Sequence, residues 1–241
     1  MCGRFYAGER FRDQLEKLLL ELGVPSAEPL YEAGGQDVVP SNASIVICGK
    51  EGEPVSARPS GAGGDAGACG QSGAGGSGEA RPGGAEHGGA EPAALQTVRM
   101  GWGFENPYRK GLVINARGES AGEKTLFKES LAKRRCIIPA TGFYEWDSWK
   151  ARFRFTEPDG SLVLLAGLWR PEADGPRYTI LTTEANRSMT PVHDRMPVRV
   201  GYSEVLPWIL DGGRTAEFLG RPQAELLCEQ DEGQIRMEGL F

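Results

Sequence analysis

The chain has 241 residues, 39% of them hydrophobic and 25% charged, with a net charge of −6 at pH 7. That supports a buried core but excludes a membrane helix. The longest apolar run, Leu162–Trp169, has eight residues, where a span needs about 20. Five cysteines without a CxxC pair, and no recognisable leader, argue against a disulfide scaffold and for a reducing, cytoplasmic setting. Only two histidines are present, so no metal site and no cofactor are expected.

Taken in chain order, Phe11, Leu15, Leu18, Leu19 and Leu22 recur at helical spacing. They predict an amphipathic helix over Glu9–Gly23, stopped by Gly23 and Pro25. A strand is expected over Ser44–Cys48. The stretch Glu51–Leu95 holds 14 of the 35 glycines and no aromatic residue. It cannot bury enough apolar surface to offset its ordering entropy, so it reads as a disordered insertion within one domain spanning 1–241. Arg58 and Arg81 against six acids give it a charge of −4, which leaves the remainder at about −2. The acidic balance therefore says little against a polyanionic partner. Basic residues cluster at Arg109-Lys110 and at Lys133-Arg134-Arg135, with Lys124 and Lys128 before them.

Strands are predicted at Thr97–Trp102, Cys136–Pro139, Gly142–Trp149, Arg152–Thr156, Leu162–Leu168, Tyr178–Thr182 and Met196–Val200. A helix is predicted over Glu123–Lys133, and a short one around Ser203–Leu210 with Pro207 strained inside it or breaking it. There is no βαβ alternation and no internal repeat. The class is α+β, dominated by antiparallel sheet that could curl into a barrel.

Four stretches carry polar groups among apolar neighbours: MCGRF (1–5), VINARGES (113–120), PATGFYEW (139–146) and PVHDRMPV (191–198). Loss of Met1 would make Cys2 the N-terminus. Its α-amine would then have a pKa of ~7.7–8, against ~10.4 for a lysine, leaving far more of it unprotonated at pH 7. Such an amine forms a Schiff base with a carbonyl, and the adjacent thiol can close a thiazolidine ring on it. A plain terminal cysteine that packs away is the simpler alternative. Glu145 shares a strand face with Phe143, as a solvated glutamate or as a desolvated carboxyl suited to proton transfer. His193 lies beside Asp194 and Arg195, which could fix its tautomer. Asn115 follows an apolar run, as a strand-end cap or as a buried amide needing partners. Arg4 and Arg117 are surface charges or phosphate clamps. Trp102 is most simply core, though its glycine neighbours leave room for a flat base.

Together, MCGRF, MGWGF, INARGES, RRCIIPATGFYEW and PVHDRMPV occur in the order and spacing of one family. The chain resembles the SRAP (SOS response-associated peptidase) family of abasic-site processing proteins over nearly its whole length except the insertion. The resemblance implies a single α+β domain with a curled, largely antiparallel, barrel-like sheet, a few flanking helices and a basic DNA channel. It implies single-stranded DNA containing abasic sites as partner, and a thiazolidine crosslink from Cys2 to the ring-opened sugar. Residue by residue, Cys2 is the nucleophile, Asn115 orients it, Glu145 aids ring opening and proton transfer, and His193 assists Schiff-base chemistry, crosslink reversal and strand-cleaving lyase activity. Arg4 and Arg117 match contacts to the DNA backbone, and Pro40, Trp102 and Thr182 match positions lining the channel. A peptidase acting on its own Met1 is a further implied activity. Phe104, Asn106 and Thr141 depart from the common family pattern, as does the insertion.

Two other readings stand beside this one: a cysteine-type hydrolase using Cys2 with His193 and Glu145, and a non-catalytic single-strand binder. A monomer associated with the nucleoid when bound to DNA is expected.

Overall fold

A computed structural model describes residues 2–25, 36–50 and 94–231. The glycine-rich stretch lies outside the described residues except at its end. There Leu95 is fully buried and begins a strand, so it belongs to the folded part.

The elements run β1 (Arg4–Ala7), α1 (Phe11–Glu21), β2 (Gln36–Val38), β3 (Ala43–Gly49), β4 (Leu95–Trp102), β5 (Phe104–Glu105), β6 (Leu112–Val113) and β7 (Asn115–Arg117). They continue with α2 (Gly118–Ala121), α3 (Thr125–Lys133), β8 (Arg135–Ala140), β9 (Gly142–Trp146), β10 (Arg152–Thr156), β11 (Val163–Glu172) and β12 (Gly175–Glu184). The last are β13 (Arg195–Pro197), α4 (Val205–Leu210), α5 (Thr215–Gly220) and β14 (Leu227–Gln230).

Five strands close on themselves in the order β11–β8–β3–β4–β12, with β12 pairing back to β11. Every seam is antiparallel except β4–β12, which is parallel through Gly101↔Arg177 and Trp102↔Tyr178. Closure removes the exposed edges an open sheet would leave. A second sheet, β14–β10–β9–β1–β2, is antiparallel throughout. The α+β, largely antiparallel, barrel-like expectation is therefore met, with one parallel seam in the ring.

Alternation along the ring strands builds two cores. Ile45, Ile47, Ile137, Leu164 and Leu168 face one way and pack with Leu15, Phe127, Trp208 and Phe218 of the helices. Val46, Cys48, Cys136, Ile138 and Tyr178 face the other way and pack with Phe5, Phe143 and Phe155 of the second sheet. The chain crosses from ring to second sheet at Thr141, whose N–H donates to the Tyr6 carbonyl and whose Oγ1 accepts from the Gly8 N–H at 2.8 Å. Gly142 follows because nothing larger fits: a Cβ there would lie 2.5 Å from the Phe155 carbonyl oxygen.

Several expectations are corrected. The strand predicted over Gly142–Trp149 ends at Trp146. Asp147 turns the chain by accepting the N–H groups of Trp149 and Ala151, and Lys150 takes a positive φ of 66°. Pro207 neither strains nor breaks its helix. It lies in the first turn of α4, where its missing N–H has no helical partner to lose. The Lys133-Arg134-Arg135 cluster is not wholly a surface patch. Arg135 is 1% exposed, and its guanidinium donates to the carbonyls of Leu131, Ala132, Trp208 and Ile209 at the ends of α3 and α4. Those are the carbonyls a helix leaves unpaired, and they carry the negative end of its dipole.

Candidate functional site

The four proposed catalytic residues come from four separate segments. Cys2 precedes β1. In the antiparallel pair β1–β9, Arg4 faces Tyr144, so continuing the register by one residue sets Glu145 opposite Gly3, next to Cys2. Asn115 opens β7 and His193 precedes β13. Both strands flank β12, through Asn115↔Ile180 and Arg195↔Glu184.

Asn115 Nδ2 donates to the Cys2 carbonyl at 2.8 Å. Asn115 Oδ1 is buried and has no hydrogen-bond partner among the described residues. Cys2 is fully buried, and its Sγ lies 3.7 Å from the Arg4 carbonyl oxygen. Burial, reinforced by the charge of Glu145, pushes the thiol well above its ordinary pKa. Glu145 is 3% exposed, and burial raises its carboxyl pKa while the charge of His193 opposes the shift. Glu145 therefore interacts electrostatically with both Cys2 and His193, and Asn115 holds Cys2 by its backbone.

His193 is half-buried. Its Nδ1 accepts from the Arg195 N–H at 2.9 Å and lies 2.8 Å from Asp194 Oδ1. The Arg195 guanidinium is bound at both nitrogens by Glu119, at 2.5 and 2.8 Å, and donates to the Thr182 carbonyl at 2.8 Å.

The expected DNA-contacting residues divide into two groups. Arg117 is exposed beside Asn115. Arg4 is partly exposed, 3.3 Å from Asp37 and over the Trp146 ring. Pro40 is half-buried in a turn pinned to Trp102 by Ser41 N–H to Trp102 O and Trp102 N–H to Asn42 O. Trp102 itself is fully buried, stacked near Tyr178 at 6.2 Å and beside Phe5 at 5.2 Å. The room beside its glycines is taken by Arg177 and Leu112, so the ring has no open face for a base. Thr182 is likewise fully buried, its hydroxyl donating to the Ala116 carbonyl.

The exposed aromatic of this region is Tyr108, 84% accessible at the tip of the β5–β6 hairpin beside Arg109 and Lys110. It borders a cleft of about 460 Å³ together with Asn106, Asn115, Arg117, Lys124 and Phe127. The sequence offered a signal for it: NPYRKG puts an aromatic among turn and basic residues, where no core can take it.

A buried cysteine at position 2, a buried carboxyl and a half-buried histidine thus come from separate segments of the second sheet and of the strands flanking β12. Residues 1–235 match the family model "SOS response associated peptidase (SRAP)", and the chain belongs to that family. Over 135 residues it is 35% identical to the abasic site processing protein YoaM of Bacillus subtilis, covering 50% of this chain and 60% of that one. Over 126 residues it is 32% identical to the abasic site processing protein HMCES of Xenopus tropicalis, covering 41% of this chain and 38% of that one. These matches span at most about three fifths of those relatives. A crystal structure of a Bordetella bronchiseptica protein shares the fold, with TM-score 0.63 at 21% identity over 96% of this chain and all of that one. No helix among the described residues is long and apolar enough to cross a membrane.

Proposed function

We propose that this protein processes abasic sites in single-stranded DNA by forming a covalent thiazolidine through Cys2 after Met1 is lost, with removal of Met1 by the protein itself as the preceding step. The observation that carries this is the Asn115–Cys2 hydrogen bond beside a buried Glu145. Asn115 fixes the backbone that bears both nucleophiles, and its buried Oδ1 is an acceptor for the freed α-amine. The amine adds to the ring-opened sugar aldehyde, and the carbinolamine loses water to give a Schiff base. The thiol then adds to the imine carbon, its proton passing to nitrogen, which closes the ring. Glu145, with its raised pKa, suits the proton transfers of sugar opening and dehydration. His193 serves the same protons and the reverse reaction. Elimination from the Schiff base, before ring closure, would give lyase cleavage. Arg4 and Arg117 supply phosphate contacts, and Tyr108 supplies a stacking face that Trp102 lacks.

A hydrolase using the Cys2 thiolate is less well supported. Activated cysteines have lowered pKa values, whereas burial raises this one. A neutral thiol suits a reaction in which the amine attacks first. The experiment incubates the protein with abasic single-stranded DNA and looks for a heat-stable shifted band on a denaturing gel. Cys2→Ala and a form retaining Met1 should give none. An undiminished adduct from the Met1-retaining form would overturn the mechanism. Peptide hydrolysis by that form would favour the hydrolase.

A further inference from the structure

The hydrogen bonds of His193 depend on a residue in a different motif. His193 Nδ1 lies 2.9 Å from the Arg195 backbone N–H and 2.8 Å from Asp194 Oδ1. They select different states. A donor at Nδ1 requires its lone pair, which places the hydrogen of the neutral ring on Nε2. A carboxylate at Nδ1 requires a hydrogen there, as in the other tautomer or the imidazolium. Asp194 is 86% exposed, so water competes for its carboxylate. The Arg195 N–H belongs to a buried residue and is turned to the imidazole.

Arg195 is held there by β13–β12 pairing, Arg195↔Glu184, and by its own side chain. The guanidinium, 10% exposed, is gripped at two nitrogens by Glu119 and also donates to the Thr182 carbonyl on β12. Fork-to-fork pairs of this kind fix orientation as well as position. The hydrogen bond from Arg195 is also the main cause that holds the Glu119 carboxyl below its usual pKa. Glu119 lies on α2, which directly continues β7 and its Asn115. One ion pair thus ties the segment that holds Cys2 to the segment that bears His193.

We propose that Glu119 is a positioning residue for His193. Through Arg195 it keeps a backbone N–H on Nδ1 and so favours the Nε2–H tautomer. The functional half of this inference rests on the proposed part of His193 in abasic-site chemistry. The structural half does not.

The test is long-range 1H–15N NMR of 15N-histidine-labelled protein, above the titration range of imidazole. With only two histidines in the chain, a His87→Ala background leaves His193 alone in the spectrum. The parent protein should show the Nε2–H pattern. In Glu119→Gln the pattern should move towards a tautomer mixture, and further in Glu119→Ala. Glu119 is 45% exposed on its side chain, and unchanged far-ultraviolet dichroism would establish that both variants fold. A His193 spectrum unchanged in Glu119→Ala overturns the proposal, as does an Nδ1–H pattern in the parent. Adduct reversal should slow about fivefold in Glu119→Gln, as expected for one lost positioning hydrogen bond, with DNA affinity unchanged. If the parent forms no adduct, the functional reading fails while the NMR result still decides the tautomer.

Discussion

Asn115 and Cys2 stand 113 residues apart in sequence, yet the amide of one donates to the carbonyl of the other at 2.8 Å. The bond runs to the backbone of Cys2, so it constrains the amine and the thiol together. Asn115→Ala should therefore slow adduct formation at every step that needs Cys2 in place. A loss of about 1 kcal/mol predicts a rate five- to tenfold lower in single-turnover gel assays. Asn115→Ala with full rate would remove this role.

Glu145 should show a trade between stability and activity. Burial raises its folded pKa above the ordinary 4.5, so the ionised form is the disfavoured one in the fold. A raised folded pKa gives stability below the unfolded value, which is lost as pH rises through the folded value. Glu145→Gln should therefore melt higher than the parent at pH 7–8, and the difference should shrink as pH falls to about 4.5. Adduct formation should fall by roughly two orders of magnitude, the usual contribution of a general acid or base. Thermal melts at several pH values, run beside gel kinetics, check both halves.

Glu204 should behave in the opposite sense. It is paired with Arg221 at both oxygens, and that hydrogen bonding lowers its pKa from 4.5 to about 2. Stability from a lowered carboxyl is present above the unfolded pKa and lost as pH falls through the folded one. Between about pH 4.5 and 2, the parent should lose stability that Glu204→Gln never had. The difference at neutral pH should be on the order of 1 kcal/mol, because the pair is partly solvated. Urea midpoints across that range would measure it.

Arg135→Met should be costly to the fold and silent in DNA binding. It leaves four helix-terminal carbonyls without their donor, and the loss should be about 3–5 kcal/mol. The salt dependence of binding should stay as in the parent. Arg117→Ala should instead flatten it, because Arg117 is exposed at the site.

Tyr108→Ala and Trp102→Ala separate surface from core. Tyr108→Ala should weaken single-strand affinity by about 1–3 kcal/mol with the melting temperature unchanged. Trp102→Ala should lose about 3–5 kcal/mol of stability. Fluorescence anisotropy and thermal melts distinguish the two. The reverse pattern would restore Trp102 as the stacking residue.

Much of the fold was legible locally. The α1 spacing of Phe11, Leu15, Leu18 and Leu19 gave a helix within two residues at either end, and Arg152–Thr156 matched β10 at both ends. Elements held mainly by partners were missed. β1, β7 and β14 have three or four residues each, too few for a period to register, and they exist because β9, β12 and β10 pair with them. Trp102 and Arg135 show the same limit among side chains. An apolar aromatic between glycines and an arginine in a basic run look alike in sequence whether exposed or buried.

By itself the sequence determined which reactive side chains are available: a cysteine at position 2, one histidine outside the glycine-rich stretch, and a glutamate on the face of Phe143. Side-chain identity fixes which bonds an atom can make. Only the tertiary structure decided which of those atoms share a site and in what state. Pairing of β7 and β13 with β12 brings Asn115 and the His193 segment together, while β1–β9 pairing brings Glu145 to Cys2. Burial then raises the thiol and carboxyl pKa values, because a low-dielectric interior penalises charge that water would have stabilised.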